Sequence, residues 1–431
     1  MNRVDFAAEQ LKRANHIHLV GIGGIGMAGL AFLLKERGFK VSGCDLCENR
    51  QTKWLQRCGV EIELGHDATH LNECVDWVIR STAVSETHPE ICRAVELQIC
   101  VSRRGEVLPA LMRDRFLIAV AGTHGKTTTT AMIAQLLGCG YCVGGEVVGF
   151  EGVAKDDDVM VVEADESDGT VKGYTPEISV ITNIEFDHME HHDSESAFIA
   201  CFEQLIRQTK ERVFYCGEDS IAQKICAGNA RCEAFSFPDP LLSVGLPGRH
   251  NQWNAVAAMA VARRWKAENE LLRVLADLRP IRRRFETVFN EKGIRVVSDY
   301  AHHPTEIKAL VETAKSLNPK RILAIFQPHR YTRTKALGAD FPPAFEGVDL
   351  LWLVPVYAAS EEMLEGGTSC DLFNQFSKEW SKRLECAENL HVAWQEVQAV
   401  LVKGDLLLLI GAGDVEKISI WVEEMKTNGG I

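Results

Sequence analysis

Three groups of residues have the types and spacing to do chemistry. The first is GIGGIG at 21–26, a G-x-G-x-x-G turn that follows an apolar strand and opens a helix. Asp45 ends the next strand, where a carboxylate can bind a ribose hydroxyl. Glycines there let backbone N–H groups approach a pyrophosphate at a helix N-terminus. The pattern suits NAD, and equally any ribonucleotide diphosphate, including a UDP group. A tight turn without a ligand is the plain alternative.

The second group is VAGTHGKTTTT at 120–130. It resembles a phosphate loop, but Val120 stands where the first glycine of G-x-x-x-x-G-K-[ST] belongs, and the glycine is Gly122. Lys126 suits β- and γ-phosphates and the Thr127 hydroxyl suits Mg²⁺. The N–H groups of Thr123, His124, Gly125 and Lys126 are expected to line the phosphates, with Thr128 beside them. Downstream, VMVVEADESDGT places Glu163, Asp165, Glu166 and Asp168 at a strand end, and ITNIEFDHMEHH adds Asp187 and His188. Hard oxygen ligands suit Mg²⁺, and strand ends are where open α/β sheets bind ligands. Most of these carboxylates are read as solvated, and His191 and His192 as surface residues.

The third group is dispersed. HNQWN holds His250, Asn251 and Asn254 at a helix start, where the amides either read adenine edges or cap the helix. RRRF at 282–285 holds Arg284, suited to clamping a phosphate or to lying in a solvated linker. SDYAHHPTE and FQPHRYTRTKAL supply Asp299, Tyr300, His302, His303, His329, Arg330 and Arg333 after two further strands. Such a cationic gathering suits an anionic substrate or intermediate.

Strands alternating with helices must position these groups, which predicts α/β architecture with parallel sheets. Strand–turn–helix units are expected at 16–45, 115–138 and 293–317, and a helix over 251–267. A length of 431 residues suggests three domains, with a boundary in LRPIRRR at 278–284. The net charge of −13 argues against a nucleic-acid partner. The start of the chain shows no apolar export segment, and runs such as LLLLI at 406–410 are too short to span a bilayer. A cytoplasmic protein without a membrane partner is expected. The 14 cysteines include two C-x-x-C pairs, Cys44/Cys47 and Cys139/Cys142. One zinc site built from both is an option, and buried reduced thiols are the plainer reading.

Taken in order, GTHGKTTT, EADESD, TNIEFDHME, GRHNQWN, RRRFE, DYAHHPTE and FQPHRYTRT resemble the Mur ligase family over essentially the whole chain. The shortened glycine spacing is that family's form of the loop. The resemblance implies three domains: 1–112 binding a UDP substrate on a Rossmann-like fold, 113–284 a P-loop ATPase-like domain, and 285–431 a Rossmann-like domain for the amino acid. It implies ATP and Mg²⁺ as cofactors and an acyl phosphate as intermediate. The expected reaction joins L-alanine to the lactyl carboxylate of UDP-N-acetylmuramate, and the alternative is transfer of a murein tripeptide to it. A monomer or weak homodimer is expected.

The resemblance further implies roles for individual residues. Gly21, Gly23, Gly24, Gly26, Asp45, Ser81 and Thr82 would hold the UDP substrate. Lys126, the loop from Gly122 to Thr128, Asn254, His250, Asn251 and Asp299 would hold ATP. Thr127, Glu163 and His188 would hold metal, and Arg284 would reach the phosphates. Tyr300, His302, His329, Arg330 and Arg333 would hold the amino acid and intermediate, with His302 as base. The segments near 138–145 and 267–281 are shorter than usual, which is expected to alter the walls of the nucleotide sites and to leave the phosphate chemistry untouched.

Overall fold

A computed structural model describes residues 2–165, 170–186, 194–359 and 361–428, with side chains of the last helix as far as Val422. Glu166, Asp168, Asp187, His188, His191 and His192 lie outside the described residues. The chain divides into two compact units, 1–245 with 252–279, and 246–251 with 280–431.

The first unit carries two sheets. One is wholly parallel, with strands β1 (His16–Val20), β2 (Lys40–Asp45), β3 (Glu61–Leu64), β4 (Trp77–Arg80) and β5 (Cys100–Arg103) in the order β3-β2-β1-β4-β5. The other contains β6 (Phe116–Ala121), β7 (Gly140–Cys142), β8 (Ala154–Lys155), β9 (Val159–Glu163), β10 (Ile178–Ile181), β11 (Arg212–Cys216) and β12 (Cys232–Phe235). Its order is β12-β11-β10-β6-β9-β7-β8, with only β8 antiparallel to its neighbour. The inner strands β1, β4, β6, β9 and β10 are short apolar runs buried along nearly all their length, as parallel sheets require, while the edge strands β3 and β12 are largely exposed.

One helix joins the two sheets into a common core. Ile25–Glu36 is apolar nearly all round and buries Met27, Ala28, Leu30, Ala31, Leu33 and Leu34. A helix of that kind needs cover on several sides. Gly29 lets it approach the second sheet: a Cβ there would lie 2.8 Å from Cys142 Sγ.

The second unit has one sheet. Its strands are β13 (Glu286–Glu291), β14 (Ile294–Asp299), β15 (Arg321–Phe326), β16 (Leu350–Leu353), β17 (Leu384–Cys386) and β18 (Asp405–Ile410). Their order is β13-β14-β18-β15-β16-β17, and β13 alone runs antiparallel. β18, all apolar apart from Asp405, is buried along its length between β14 and β15. The expected helix over 251–267 spans Arg249–Ala262, and its first residues up to Asn251 belong with the second unit. Among the described residues no helix is long and apolar enough to cross a membrane.

Candidate functional site

In the first sheet the glycine turn leaves the central strand β1 and is pinned by β2. Gly21 N–H and Ile22 N–H both donate to the Cys44 carbonyl, at 2.9 and 3.0 Å. Gly21 has φ +78°, a conformation L side chains rarely adopt. Asp45 Oδ2 accepts from Gly23 N–H at 2.8 Å, and Asn49 donates its side-chain amide to Gly23 O at 3.1 Å. Gly24 is the N-cap of the buried helix and offers no side-chain cap. Ser81 lies beside Gly21, and Thr82 is exposed in the following turn. One neighbour of the turn has no signal in the motif. A Cβ on Gly26 would lie 3.2 Å from Arg104 Cζ, so a guanidinium from the start of helix Arg104–Leu111 flanks the turn.

The second loop leaves β6, the middle strand of its sheet, and opens helix Lys126–Leu137, whose Thr127 to Thr130 are all buried. Its shortened glycine spacing has a local cause. Gly122 has φ +133°, and a Cβ there would strike Thr182 Oγ1 and the backbone of Asn183. The neighbouring strand β10 therefore dictates where the glycine stands. The residues after β10 stitch the loop down. Thr182 Oγ1 donates to His124 O at 2.7 Å, Asn183 Nδ2 donates to the same oxygen at 2.9 Å, and Thr123 Oγ1 donates to Glu185 O at 2.8 Å. His124 Nε2 lies 3.0 Å from Glu185 Oε2.

This corrects one expectation. The N–H groups of Thr123 and His124 do not line an open phosphate cradle: they donate to Asn183 O at 3.1 Å and Asn183 Oδ1 at 2.9 Å. Thr182, Asn183 and Glu185 sit in the TNIE stretch from which the sequence reading took only Asp187 and His188. They reach the loop through the parallel pairing of β6 with β10, Val120 against Val180, which only the folded chain shows.

Lys126 Nζ is drawn into the loop, donating to Gly122 O at 2.6 Å and Thr123 O at 3.3 Å, with Asp165 Oδ1 4.0 Å away. Thr127 Oγ1 donates to Glu163 Oε2 at 3.1 Å, so a hydroxyl and a carboxylate meet at the helix start. Burial pushes the Glu163 carboxyl above the ordinary carboxylate range, against the pull of Gly144 N–H and Lys126. Gly144 N–H donates to Glu163 Oε1 at 2.5 Å. The short 138–145 segment thus reaches Glu163. Asn254 is buried against Gly125 and accepts from Thr129 Oγ1 at 3.3 Å, so it braces the loop rather than standing clear of it.

The second unit gathers the third group at the carboxyl ends of β14 and β15. Asp299 is tied to backbone, accepting from Phe285 N–H at 2.7 Å and Ala301 N–H at 2.8 Å. Burial raises its carboxyl, and Arg284 pulls it back. Arg283 and Arg284 place guanidinium carbons 4.7 and 5.2 Å from the Tyr300 ring centroid. His302 Nδ1 lies 3.0 Å from Tyr300 O and 3.5 Å from Glu306 Oε2. Both are acceptors, so the proton sits on Nδ1 and Nε2 is the basic nitrogen. The His302 and His329 rings are 5.6 Å apart.

Arg333 donates to His329 Nδ1 at 3.3 Å, and Tyr357, absent from the sequence reading, stacks on His329 at 5.5 Å. Arg330 caps helix Tyr331–Ala336 at φ +68° and donates its N–H to Tyr357 O at 2.9 Å. Burial, then Arg284, push the His250 imidazole down to about 4, so it is neutral at pH 7. Asn251 donates its side-chain amide to Pro247 O at 2.6 Å. The structure thus divides the expected adenine group: Asn254 belongs with the first unit, and His250 and Asn251 with the second.

Neither C-x-x-C pair makes a zinc site. Cys47 is exposed, and no ion-holding cluster among the described residues contains Cys47, Cys139 or Cys142. Burial pushes the Cys139 and Cys142 thiols up to about 12.

Comparison with known proteins matches three descriptions along the chain: Mur ligase family, catalytic domain, over residues 16–116; Mur ligase middle domain over 120–239; and Mur ligase, glutamate ligase domain, over 283–413. The UDP-N-acetylmuramate--L-alanine ligase of Desulforamulus reducens is 34% identical, covering 93% of this chain and 95% of its own. The chain belongs to the Mur ligase family. This Mur ligase is also 37% identical to the ligase of the same name from Pelobacter propionicus, over 93% of this chain and 95% of that one. Among solved structures it is similar to the UDP-N-acetylmuramate-alanine ligase of Thermotoga maritima, at a TM-score of 0.81 and 28% identity, covering 96% and 99% of the two chains. The murein peptide ligase of Psychrobacter arcticus shares the fold at a TM-score of 0.70 and 22% identity, over 96% and 99%.

Proposed function

We propose that this Mur ligase joins L-alanine to the lactyl carboxylate of UDP-N-acetylmuramate, consuming ATP. The observation that carries this reading is the meeting of Lys126, Thr127 and Glu163 at one loop, in a chain whose near full-length relatives bear that ligase's name. A carboxylate oxygen attacks the γ-phosphorus, its O–P bond forms as the bond to ADP breaks, and an acyl phosphate results. The alanine amine then attacks the acyl carbon and phosphate leaves, giving the amide. A bare carboxylate acylates poorly at neutral pH, so the first step creates the leaving group, and cations must offset repulsion between two anions.

The residues divide as follows. Lys126 and the loop backbone at Gly125 and Lys126 hold the phosphates, with Thr182, Asn183, Glu185 and Asn254 fixing the loop's shape. The hard oxygens of Thr127 and Glu163 fit Mg²⁺, which would neutralise phosphate charge there. The turn Gly21–Gly26, with Asp45, Ser81 and the Arg104 guanidinium, holds the UDP group. His250, Asn251, Arg284 and Asp299 are assigned to ATP. Tyr300, His302, His329, Arg330 and Arg333 serve the amino acid and the acyl phosphate, and His302 Nε2 takes the amine proton. We assign the three sheets to domains 1–112, 113–284 and 285–431, in a cytoplasmic enzyme that is a monomer or weak homodimer.

The test is phosphate release with ATP, Mg²⁺ and UDP-N-acetylmuramate. Release that depends on L-alanine is expected. Release only with the tripeptide L-alanyl-γ-D-glutamyl-meso-diaminopimelate would move the protein to the peptide-transferring branch.

A further inference from the structure

A second cluster of chemical groups lies on the face of the first sheet covered by helix Pro89–Glu96, and the ligase reaction gives it no role. Glu90, in the first turn of that helix, is fully buried. Its Oε2 lies 3.0 Å from His18 Nε2 and 3.1 Å from Cys44 Sγ. Its Oε1 lies 3.0 Å from Cys44 Sγ, 3.3 Å from His70 Nδ1 and 3.5 Å from His66 Nδ1. Cys44 Sγ is also 3.3 Å from His66 Nδ1. These groups come from β1, β2, the turns after β3 and the start of one helix, and the surrounding cluster is apolar: Val20, Leu71, Val75 and Ile91.

We propose that His18 Nε2, Cys44 Sγ, His66 Nδ1 and the Glu90 carboxylate form a binding site for a zinc-class transition-metal cation, separate from the Mg²⁺ expected at Thr127. Four features point to it. A thiol carries one proton, yet Cys44 Sγ faces two carboxylate oxygens and an imidazole nitrogen within 3.3 Å. A cation satisfies the sulfur and both carboxylate oxygens together, whereas the thiol proton reaches one acceptor at a time. Zinc–ligand bonds of ~2.0–2.3 Å set tetrahedral donor atoms roughly 3.2–3.8 Å apart, so the His18–Glu90, Cys44–Glu90 and Cys44–His66 spacings of 3.0–3.3 Å need only a small expansion.

Charge is the second feature: a thiolate and a carboxylate balance a divalent ion, and two neutral imidazoles complete four ligands, which leaves no net charge in an apolar surrounding. The third is outer support of the kind metal-binding histidines need. His18 Nδ1 lies 2.9 Å from Ser42 Oγ, which in turn is 2.8 Å from His16 Nε2, so the ring is held with Nε2 toward Glu90. The fourth is an orphaned polar atom at the edge of the cluster. His88 Nε2 is buried without a hydrogen-bond partner among the described residues, and its ring packs edge-on against His66 at 4.3 Å.

Sulfur and imidazole donors favour zinc over magnesium. His66, 17% exposed at its side chain, gives the ion a way in. A consequence for the glycine turn follows from the chain itself. The Cys44 carbonyl accepts the N–H groups of Gly21 and Ile22, so a metal on the Cys44 side chain would brace the turn that receives the UDP group. The site stands or falls independently of the ligase reading, because its test does not use activity.

The experiment titrates the full chain, stripped by chelator, with Co²⁺ and then Zn²⁺. One equivalent of Co²⁺ is expected to give a thiolate charge-transfer band and the strong visible bands of a tetrahedral ion, both abolished by Zn²⁺. Cys44→Ser keeps a hydroxyl in place and is expected to remove the thiolate band, while Cys370→Ser keeps it. X-ray absorption of the zinc-loaded native chain should show one sulfur and three nitrogen or oxygen donors, and needs no variant to fold. No band in the native chain, a band that survives Cys44→Ser, or a zinc shell with no sulfur or several would overturn the proposal and leave a hydrogen-bonded network.

Discussion

The turns Gly21–Gly26 and Gly122–Gly125 both leave the middle strand of a parallel sheet and both lead into a buried helix. They differ in where charge comes from. The second turn carries its own cation, Lys126, and takes a hydroxyl and a carboxylate from Thr127 and Glu163 within the same sheet. The first has no cation in its motif, and a guanidinium arrives from Arg104, some eighty residues away in sequence. Backbone N–H groups alone suit a diphosphate that is only bound. A phosphoryl group in transfer needs fixed positive charge, because charge moves during the step. On the proposed reading, one topology thus serves holding in the first sheet and chemistry in the second.

The largest expected break in that contrast is Lys126→Ala. It should lower kcat by at least ~10³-fold and leave UDP-N-acetylmuramate binding intact by calorimetry. Equal loss of both would mean the two turns are not functionally separate. Glu163→Gln comes next, with kcat down by ~10²-fold in Mg²⁺. Its stability effect runs the other way. Because the folded carboxyl titrates above 4.5, the folded state holds its proton more tightly than the unfolded chain does. That stabilisation is complete below 4.5 and is lost as pH rises through the folded value. Glu163→Gln should therefore raise the melting temperature at neutral pH, with the gain shrinking as the medium is acidified. A lower melting temperature at neutral pH would refute the burial argument.

Arg104→Ala sharpens the contrast from the other side. KM for UDP-N-acetylmuramate should rise by about tenfold, with kcat and the KM for ATP little changed, as expected when an interaction serves ground state and transition state alike. A fall in kcat instead would make Arg104 part of the chemistry. The smallest effect belongs to Asp45→Ala. It removes the acceptor of Gly23 N–H and should cost about 1 kcal/mol in urea unfolding, with ATP binding unaffected.

Several features were legible in the sequence for physical reasons. Gly125-Lys126-Thr127 at a strand–helix junction announces a phosphate site because only a lysine, a hydroxyl and a flexible backbone do that work together. Alternation of short apolar strands with helices announced parallel sheets, and the strand ends at Asp299 and Phe326 located the cationic gathering of the second unit. The short strands β7 and β8 and the antiparallel β13 were not foreseen. Two or three residues carry no periodicity, and β13, with Glu286, Asn290 and Glu291, lacks a clear apolar pattern.

The sequence by itself determined the family, the parallel α/β architecture and the place of the Gly-Lys-Thr loop at a strand–helix junction, because each rests on residues close together along the chain. Only the tertiary structure decided why Gly122 must be glycine, since the obstacle is Thr182, just past the end of the neighbouring strand β10. It alone brought Arg104 to Gly26, Gly144 to Glu163 and Tyr357 to His329, and it alone gathered Cys44 with three histidines and Glu90. The physical reason is common to all of these. Parallel strands adjacent in a sheet are joined by long crossovers, so the side chains that meet at their ends are far apart in sequence.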